Sequence, residues 1–150
     1  MVTDYWKHLE KLPLGRTLFS SLVGLVVPYT GSIHAQVLEL EPGHCRVQMK
    51  DRRRVRNHFN CIHAVALVNL SEMASGLAVT TALPSNARGI LHAFSIEYIA
   101  KARGTVTAES QVPAITSNEK RDIEVTAAIR NEKNEVVCRA KALWHIGPKQ

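Results

Sequence analysis

RNHFNCIHAVALVNLSEMASGLAV, residues 56–79, contains a long run of apolar residues with one carboxylate in its middle. The good helix formers and the absence of proline predict a helix from about His63 to Thr80, about 27 Å long. Its apolar residues surround nearly the whole cylinder, which is typical of a helix covered on most sides. Glutamate is rarely buried without compensation. Two interpretations of Glu72 follow. Either it lies at the edge of the covered surface, where it is solvated or paired with an arginine, or it has a role in the chemistry of the protein.

The composition limits the class of protein. With 150 residues, 45% of them hydrophobic, the chain predicts a single globular domain over residues 1–150. No apolar run reaches the roughly 20 residues of a membrane span. Residues 1–30 predict an N-terminal helical extension, broken near Pro13, rather than a signal peptide. The three scattered cysteines favour a reducing, cytoplasmic location and have no metal-ligand spacing, so we expect no metal site.

The net charge of +6 indicates that the protein meets anions such as phosphorylated small molecules, anionic lipid or nucleic acid. The densest basic run is residues 52–56, which contains four arginines. Nucleic-acid readers usually add a recognition motif or an aromatic stacking surface. Aromatic residues make up 5% of the chain and no such motif is present, so we expect no nucleic-acid partner.

Outside the helix, the chain shows the two-residue alternation of β-strands. The alternation that starts at Ile33 slips near Val37, which predicts a β-bulge, and a turn after Leu40 leads to a returning strand. Strand patterns also occupy residues 90–102, 105–112, 123–129 and 135–146. Consecutive strands joined by short turns are expected to pair antiparallel. The chain therefore predicts an α+β fold, with an antiparallel sheet of about six strands wrapped around one long central helix.

Four residues have a spacing that resembles a known family. Asn57 precedes His63 by six positions, the small residue Ala64 follows it, and Glu72 lies nine positions beyond His63. This pattern resembles the hotdog-fold acyl-CoA thioesterases, in the branch related to 4-hydroxybenzoyl-CoA and phenylacetyl-CoA thioesterases. The resemblance implies a hotdog fold, hydrolysis of an acyl-CoA thioester and an oligomeric enzyme.

Two further segments extend the resemblance. SIEYIAKARG, residues 95–104, resembles the central strand of that branch and its turn, and CRAKALWHIG, residues 138–147, resembles its last strand. The resemblance therefore runs from about Ile33 to Gly147, most of the chain, and within the superfamily it is strongest to an uncharacterised subfamily.

The chemistry of thioester hydrolysis can be placed on this helix. The reaction needs donors for the developing oxyanion and a base or nucleophile. The first turn, at Ala64, offers unpaired N–H groups at the positive end of the helix dipole, and Glu72 offers a carboxylate. Eight residues separate the two, about 12 Å along the axis, so one chain cannot bring both to one carbonyl. If Glu72 is catalytic, we therefore expect a homodimer or a dimer of dimers, in which two chains complete each site.

Other residues have two interpretations each. Asn57 either orients the thioester or water, or braces the loop before the helix. His63 is either catalytic or a structural hydrogen-bonding group. Asn69 shares the helical stripe of Glu72 and is a candidate hydrogen-bond partner for it, while Met73 is a candidate to line the acyl pocket.

The basic residues complete the candidate site. We expect Arg54 and Arg56, together with Lys101 and Arg103 beyond the central strand, to bind the phosphates of coenzyme A. The alternative is that the arginine run is a solvated loop. No cofactor is expected, since coenzyme A enters as part of the substrate.

The sequence thus favours an acyl-CoA thioesterase, with a non-catalytic acyl-CoA-binding hotdog protein as the alternative. Two differences from the branch favour the alternative. Ala64-Val65 stands where the branch commonly has glycine, and Leu91 stands where many relatives have serine or threonine. An enoyl-CoA hydratase of this fold would need an Asp/His pair in a different loop motif, which this sequence does not contain.

Overall fold

The computed structural model describes residues 2–149. The helices within this part are α1 (Val2–Leu9), α2 (Gly15–Val26), the one-turn α3 (Pro28–Gly31) and α4 (Ala64–Ala82). The strands are β1 (Gln36–Glu41), β2 (His44–Met49), β3 (Ala87–Tyr98), β4 (Val106–Gln111), β5 (Arg121–Arg130) and β6 (Val136–Pro148). A 3-10 turn at Arg53–Val55 lies between β2 and α4. The order of elements is the one that the sequence predicts.

The strands form one antiparallel sheet in the order β1-β2-β4-β5-β6-β3. β3 therefore lies at the outer edge beside β6, while β4 pairs with β2. The expectation that consecutive strands pair was wrong for β3 and β4. The segment that joins them is not a tight turn, because it passes the start of α4, where the Ile62 N–H donates to the Ala102 carbonyl at 2.9 Å.

The long helix α4 packs chiefly against β2 and β4 and forms the centre of the core. Leu70, Ala74 and Ala78 on this helix are fully buried. By length and composition α4 is apolar enough to cross a membrane, yet half of that stretch is buried inside the protein. Its apolar surface is therefore explained in large part by packing against the sheet.

The N-terminal helices belong to the same core as the sheet. Trp6 of α1 and Phe19 of α2 are buried, and their rings meet edge to face with centroids 5.1 Å apart. The predicted break near Pro13 is confirmed, and Leu14 has a left-handed backbone (φ 61°) at this break. A single helical turn, α3, follows α2. Met1 lies outside the described residues.

Strand boundaries differ from the sequence pattern by a few residues. β1 begins at Gln36 rather than Ile33, because His34 has a positive φ of 46° that is incompatible with a strand. The β-bulge is confirmed by a register shift between Val37 and Glu39. β3 ends at Tyr98, four residues earlier than predicted, where the chain turns toward the start of α4.

Candidate functional site

His63 is the N-cap residue of α4. Its backbone is extended (φ −63°, ψ 141°), and its Nδ1 accepts a hydrogen bond from the Val65 N–H at 3.1 Å. The His63 N–H donates to the Val55 carbonyl at 2.7 Å, which ties the start of the helix to the 3-10 turn before it. The His63 side chain is otherwise exposed. These contacts favour the structural interpretation of His63 over a catalytic one.

Ala64, the first residue of α4, has a backbone N–H at the start of the helix and lies against a pocket. N–H groups in the first turn of a helix lack intrahelical partners, and His63 caps the Val65 N–H, which leaves the Ala64 N–H at the positive end of the dipole. Ala64 lines a pocket of about 360 Å³, which we call the helix-start pocket. Its other lining residues include Asn57, Cys61, Leu67, Tyr98 and Lys101.

Asn57 braces the loop that leads into α4. Its Oδ1 accepts hydrogen bonds from the Phe59 N–H at 2.9 Å and from the Cys61 N–H at 3.4 Å. The Cys61 thiol also donates to it, at 3.4 Å. Because the oxygen has these partners, Nδ2 is the atom that Asn57 offers to a ligand in the helix-start pocket. The loop-bracing interpretation of Asn57 is confirmed, and it leaves one polar group for binding.

Tyr98 is a pocket residue that the sequence analysis did not single out. Its hydroxyl donates to the Ala64 carbonyl at 3.1 Å, so it joins the end of β3 to the first turn of α4. Partial burial raises the pKa of Tyr98, with a smaller contribution from Cys138, and the hydroxyl stays a donor at neutral pH. Its inward place in the β3 alternation was a signal, but only the fold brings it to Ala64.

Glu72 lies two turns beyond Ala64 and outside the lining of the helix-start pocket. Its side chain is partly buried, and burial raises the pKa of this carboxyl above its ordinary value. Gly76 lies beside it. A Cβ at Gly76 would lie 3.5 Å from Glu72 Oε1 and 3.3 Å from the ring of Trp144. The carboxylate therefore lies near an aromatic wall, in a place where its charged form is costly.

Two residues expected near Glu72 have other partners. Asn69 is buried, and its Nδ2 donates to the Tyr29 carbonyl at 3.1 Å, so it fastens α3 to α4 rather than donating to Glu72. Met73 is 5% exposed and belongs to the hydrophobic core, and its place in the lining of an acyl pocket stays a prediction. Asn69 and Glu72 both lie on α4, but the side-chain donor of Asn69 binds the Tyr29 carbonyl instead of Glu72.

The four basic residues all lie around the loop and turn before α4. Lys101 lines the helix-start pocket, and its Nζ lies 5.9 Å from the centre of the Phe59 ring. Arg103 donates from Nε to the Asn60 carbonyl at 3.4 Å, and Arg54 is exposed. Lys101 is thus the basic residue that contributes positive potential directly to the lining of the pocket.

Arg56 differs from the other basic residues because it has an acidic partner. Its Nε donates to Asp51 Oδ1 at 2.6 Å, and the Asp51 side chain is 7% exposed. The other carboxylate oxygen of Asp51 accepts from the Gly104 N–H at 3.3 Å. The hydrogen bond to Asp51 raises the pKa of Arg56. Arg56 therefore helps to fasten the basic loop, and its remaining guanidinium N–H groups are what it offers to a phosphate.

The structure thus brings Asn57, Ala64 and Lys101 together in one pocket and leaves Glu72 two turns away along α4. The pocket offers N–H donors, a cation and an apolar floor, which suits a polarised carbonyl attached to an anionic group. Within residues 2–149, no group of three His, Cys, Asp or Glu side chains is arranged to hold a metal ion.

The comparisons with known proteins agree with this architecture. The profile of a protein family described as a domain of unknown function, DUF4442, matches residues 15–146. The chain belongs to the DUF4442 family. A search of curated proteins returned no match for this DUF4442 protein.

Solved structures identify the fold of this DUF4442 protein. A solved structure described as genomics APC5556 is 29% identical with a TM-score of 0.85, and the match covers 99% of this chain and 98% of that one. A Pseudomonas aeruginosa protein described as a probable thioesterase is 22% identical, with a TM-score of 0.80 and coverage of 92% and 97%. A mutant of the phenylacetic acid degradation protein PaaI of Thermus thermophilus is 18% identical, with a TM-score of 0.67 and coverage of 79% and 97%. This DUF4442 protein therefore has the hotdog fold that its sequence predicts.

Proposed function

We propose that this DUF4442 protein is an acyl-CoA thioesterase in which Glu72 of one chain and the Ala64 N–H of another act on the same thioester. The observation that carries the proposal is the pairing on one helix of a partly buried carboxylate and an amide donor that lines a pocket. The names of hotdog neighbours from Pseudomonas aeruginosa and Haemophilus influenzae, which include the word thioesterase, support this reaction class.

The proposed reaction uses groups on the chain and water. Glu72 takes a proton from water, and the oxygen attacks the thioester carbonyl. The Ala64 N–H and the dipole of α4 stabilise the oxyanion of the tetrahedral intermediate. The C–S bond then breaks, and the thiolate of coenzyme A takes up the proton. In a second version Glu72 attacks the thioester carbonyl directly, the C–S bond breaks and the thiolate of coenzyme A leaves. Water then hydrolyses the anhydride, which regenerates the Glu72 carboxylate and supplies the proton that the thiolate takes up. Neither version requires a cofactor.

Coenzyme A would lie over the basic surface at the helix start. Lys101 lines the pocket and Arg103 donates to the loop before α4, and we expect both, together with Arg54, to bind the phosphates. Asn57 contributes Nδ2 to the substrate, because its Oδ1 has backbone partners. The three free cysteines, Cys45, Cys61 and Cys138, are compatible with the proposed cytoplasmic location.

A dimer is part of the proposal because Ala64 and Glu72 are about 12 Å apart along α4. β3 offers a surface for it. This strand has 12 residues and lies at the outer edge of the sheet, with one side of its backbone unpaired in the single chain. Ile90 and Tyr98, near its two ends, are about half exposed, at 51% and 47%. Pairing of two β3 strands across a two-fold axis would place the two α4 helices side by side.

The test is thiol release from a panel of short, medium, long and aromatic acyl-CoAs, with wild type beside Glu72→Gln. We expect turnover by wild type and a loss of about 100-fold or more, on the order of general base effects, in the variant. Binding of free coenzyme A by calorimetry should be unchanged in Glu72→Gln, because Glu72 lies outside the helix-start pocket. Equal turnover by the two proteins would rule out Glu72 as the catalytic group.

A second candidate, a non-catalytic acyl-CoA-binding protein, is favoured by one observation. Val65 is 50% exposed at the start of α4, next in sequence to the proposed oxyanion donor, where the related branch commonly has glycine. Saturable binding of acyl-CoA without thiol release from any member of the panel would select this function.

A further inference from the structure

Most of the large apolar side chains that are exposed among residues 2–149 belong to the N-terminal helical segment. They are Tyr5, Leu12, Leu14, Leu18, Leu22, Leu25, Val26, Val27 and Tyr29. On α2, Leu18, Leu22 and Leu25 recur at helical spacing and therefore form one stripe. A concentration of this kind usually marks a binding surface.

Next to this stripe lies an apolar groove of about 420 Å³, which we call the N-terminal groove. Its lining includes Tyr5 of α1, Leu22, Val23 and Val26 of α2, and Leu77 and Thr80 of α4. The volume falls in the range of small-molecule pockets. Because none of the described residues in this lining has a charged side chain, the groove suits a hydrocarbon chain rather than a nucleotide or a phosphate.

Thr80, on the α4 wall of the groove, lies on the same ridge of the helix as Glu72, because the two are eight residues apart. Leu77 and Thr80 follow Glu72 by five and eight residues, about 7.5 Å and about 12 Å along the axis. Gly76 lies between Glu72 and Thr80 on this ridge, beside the ring of Trp144. A linear chain whose reactive end lies at Glu72 therefore reaches the groove by following α4 toward its C-terminus.

We propose that the N-terminal groove binds the alkyl chain of a medium- or long-chain acyl group whose carbonyl lies at Glu72. The proposal rests on the proposed thioesterase function for the chemistry at the carbonyl, and it names fatty acyl thioesters as the substrate class. Each methylene group moved from water into the groove tightens binding about fourfold, so the groove discriminates by chain length. The N-terminal helices thereby become part of the binding site.

A matched pair of variants tests the groove without any turnover. Leu22, 45% exposed, lines the groove, whereas Leu18, 51% exposed, lies one turn earlier on α2 and outside the lining. Binding of laurate, the acid that lauroyl-CoA would release, is measured by calorimetry for wild type, Leu22→Gln and Leu18→Gln. We expect Leu22→Gln to weaken laurate binding about tenfold and Leu18→Gln to change it less than about twofold.

The results distinguish alkyl-chain binding in the groove from binding of the exposed stripe to a membrane. Equal laurate affinity in all three proteins, or equal loss in both variants, would overturn the groove. A third outcome is that wild type does not bind laurate but sediments with phosphatidylglycerol vesicles, and that both variants sediment equally less. This result would assign the stripe to contact with a membrane surface and overturn the proposal. Melting temperatures of the three proteins show whether a loss reflects misfolding.

The same variants keep this proposal apart from the thioesterase assignment. If the enzyme is active, Leu22→Gln should lower kcat/KM for lauroyl-CoA about tenfold and leave butyryl-CoA unchanged, because a short chain ends before Leu77. If no acyl-CoA is hydrolysed but laurate binding still depends on Leu22, the thioesterase function fails while the groove stands. If lauroyl-CoA is hydrolysed equally well by wild type and Leu22→Gln, the thioesterase function stands and the groove proposal fails.

Discussion

Glu72 combines two properties that a general base in this reaction needs. It is ionisable, and burial raises the pKa of its carboxyl, which makes its carboxylate a stronger base than an exposed glutamate at neutral pH. The same burial makes the ionised form costly to keep in the folded protein. Activity and stability should therefore depend on the ionisation of Glu72 in opposite directions.

We predict that kcat/KM rises with pH and reaches a plateau. Water is activated only by the ionised form, and a pKa raised above the usual 4.5 keeps Glu72 protonated to a higher pH than an ordinary glutamate. The profile is measured by following loss of the thioester absorbance, which needs no thiol dye. A profile that falls over the same range would mean that a protonated group, not Glu72, limits the reaction.

We predict that Glu72→Gln is more stable than wild type at neutral pH. Since the folded-state pKa of Glu72 exceeds its unfolded value, the folded state binds the proton more tightly. Its contribution to stability is therefore fully present below the unfolded pKa and is lost as the pH rises through the folded pKa. Urea unfolding should show a stability difference between variant and wild type that grows from acidic to neutral pH.

The matched control for this stability comparison is Glu119→Gln, because Glu119 is exposed and lies outside the strands. Its stability difference from wild type should not grow between acidic and neutral pH in the same way. If both variants give the same pH dependence, burial of Glu72 does not affect its titration.

At the level of elements, the first turn of α4 contains two neighbouring residues with different roles: Ala64 is the proposed oxyanion donor and His63 is the N-cap. We predict that Ala64→Pro folds but loses about 100-fold or more in kcat, because proline removes the backbone N–H proposed as oxyanion donor. Proline is tolerated at the first position of a helix, and the extended backbone of His63 suits the residue before a proline. Single-turnover thiol release measures the chemical step. Turnover within about threefold of wild type would exclude this amide as a donor.

The neighbouring prediction concerns His63 as a cap. His63→Asn should keep stability and activity near wild type, since asparagine is a good N-cap residue. His63→Ala should lose about 1 kcal/mol of stability because the Val65 N–H loses its acceptor. Thermal unfolding and thiol release are measured on both variants. A large loss of activity in His63→Asn, without loss of stability, would show that the imidazole takes part in the reaction.

The elements were predictable from the sequence to the extent that they depend on local pattern. α4 was identified by its apolar, proline-free run, and the bulge near Val37 by the slip in alternation. The place of β3 beside β6 was missed, because strand order depends on contacts between distant segments rather than on any local signal.

The candidate site shows the same division. Glu72 was found because a carboxylate in an apolar helix conflicts with its surroundings. The bond from Tyr98 to Ala64 and the bond from Asn69 to Tyr29 join residues 34 and 40 positions apart, and no local pattern indicates them. The sequence was thus enough to identify the candidate chemical groups, whereas their hydrogen-bond partners could be identified only from the three-dimensional structure.

On the scale of the whole molecule, the proposed site requires a dimer whose subunits each supply half. Subunit exchange between two inactive variants tests this directly. Glu72→Gln lacks the carboxylate, and Ala64→Pro lacks the amide donor. In a mixed dimer, one site carries both changes and the other carries neither. Random exchange of equal amounts makes about half of the dimers mixed, so we predict recovery of about a quarter of wild-type activity.

The exchange is carried out by unfolding and refolding the two variants together, with each variant refolded alone as the control. Light scattering on the refolded samples should give about twice the 16.6 kDa mass of one chain. If each site lay within one chain, every site in the mixture would carry a change and no activity would return. Activity therefore returns only if each site takes Ala64 from one chain and Glu72 from the other. The two residues are too far apart along one rigid helix to act on the same carbonyl, but two chains related by a two-fold axis can bring them together.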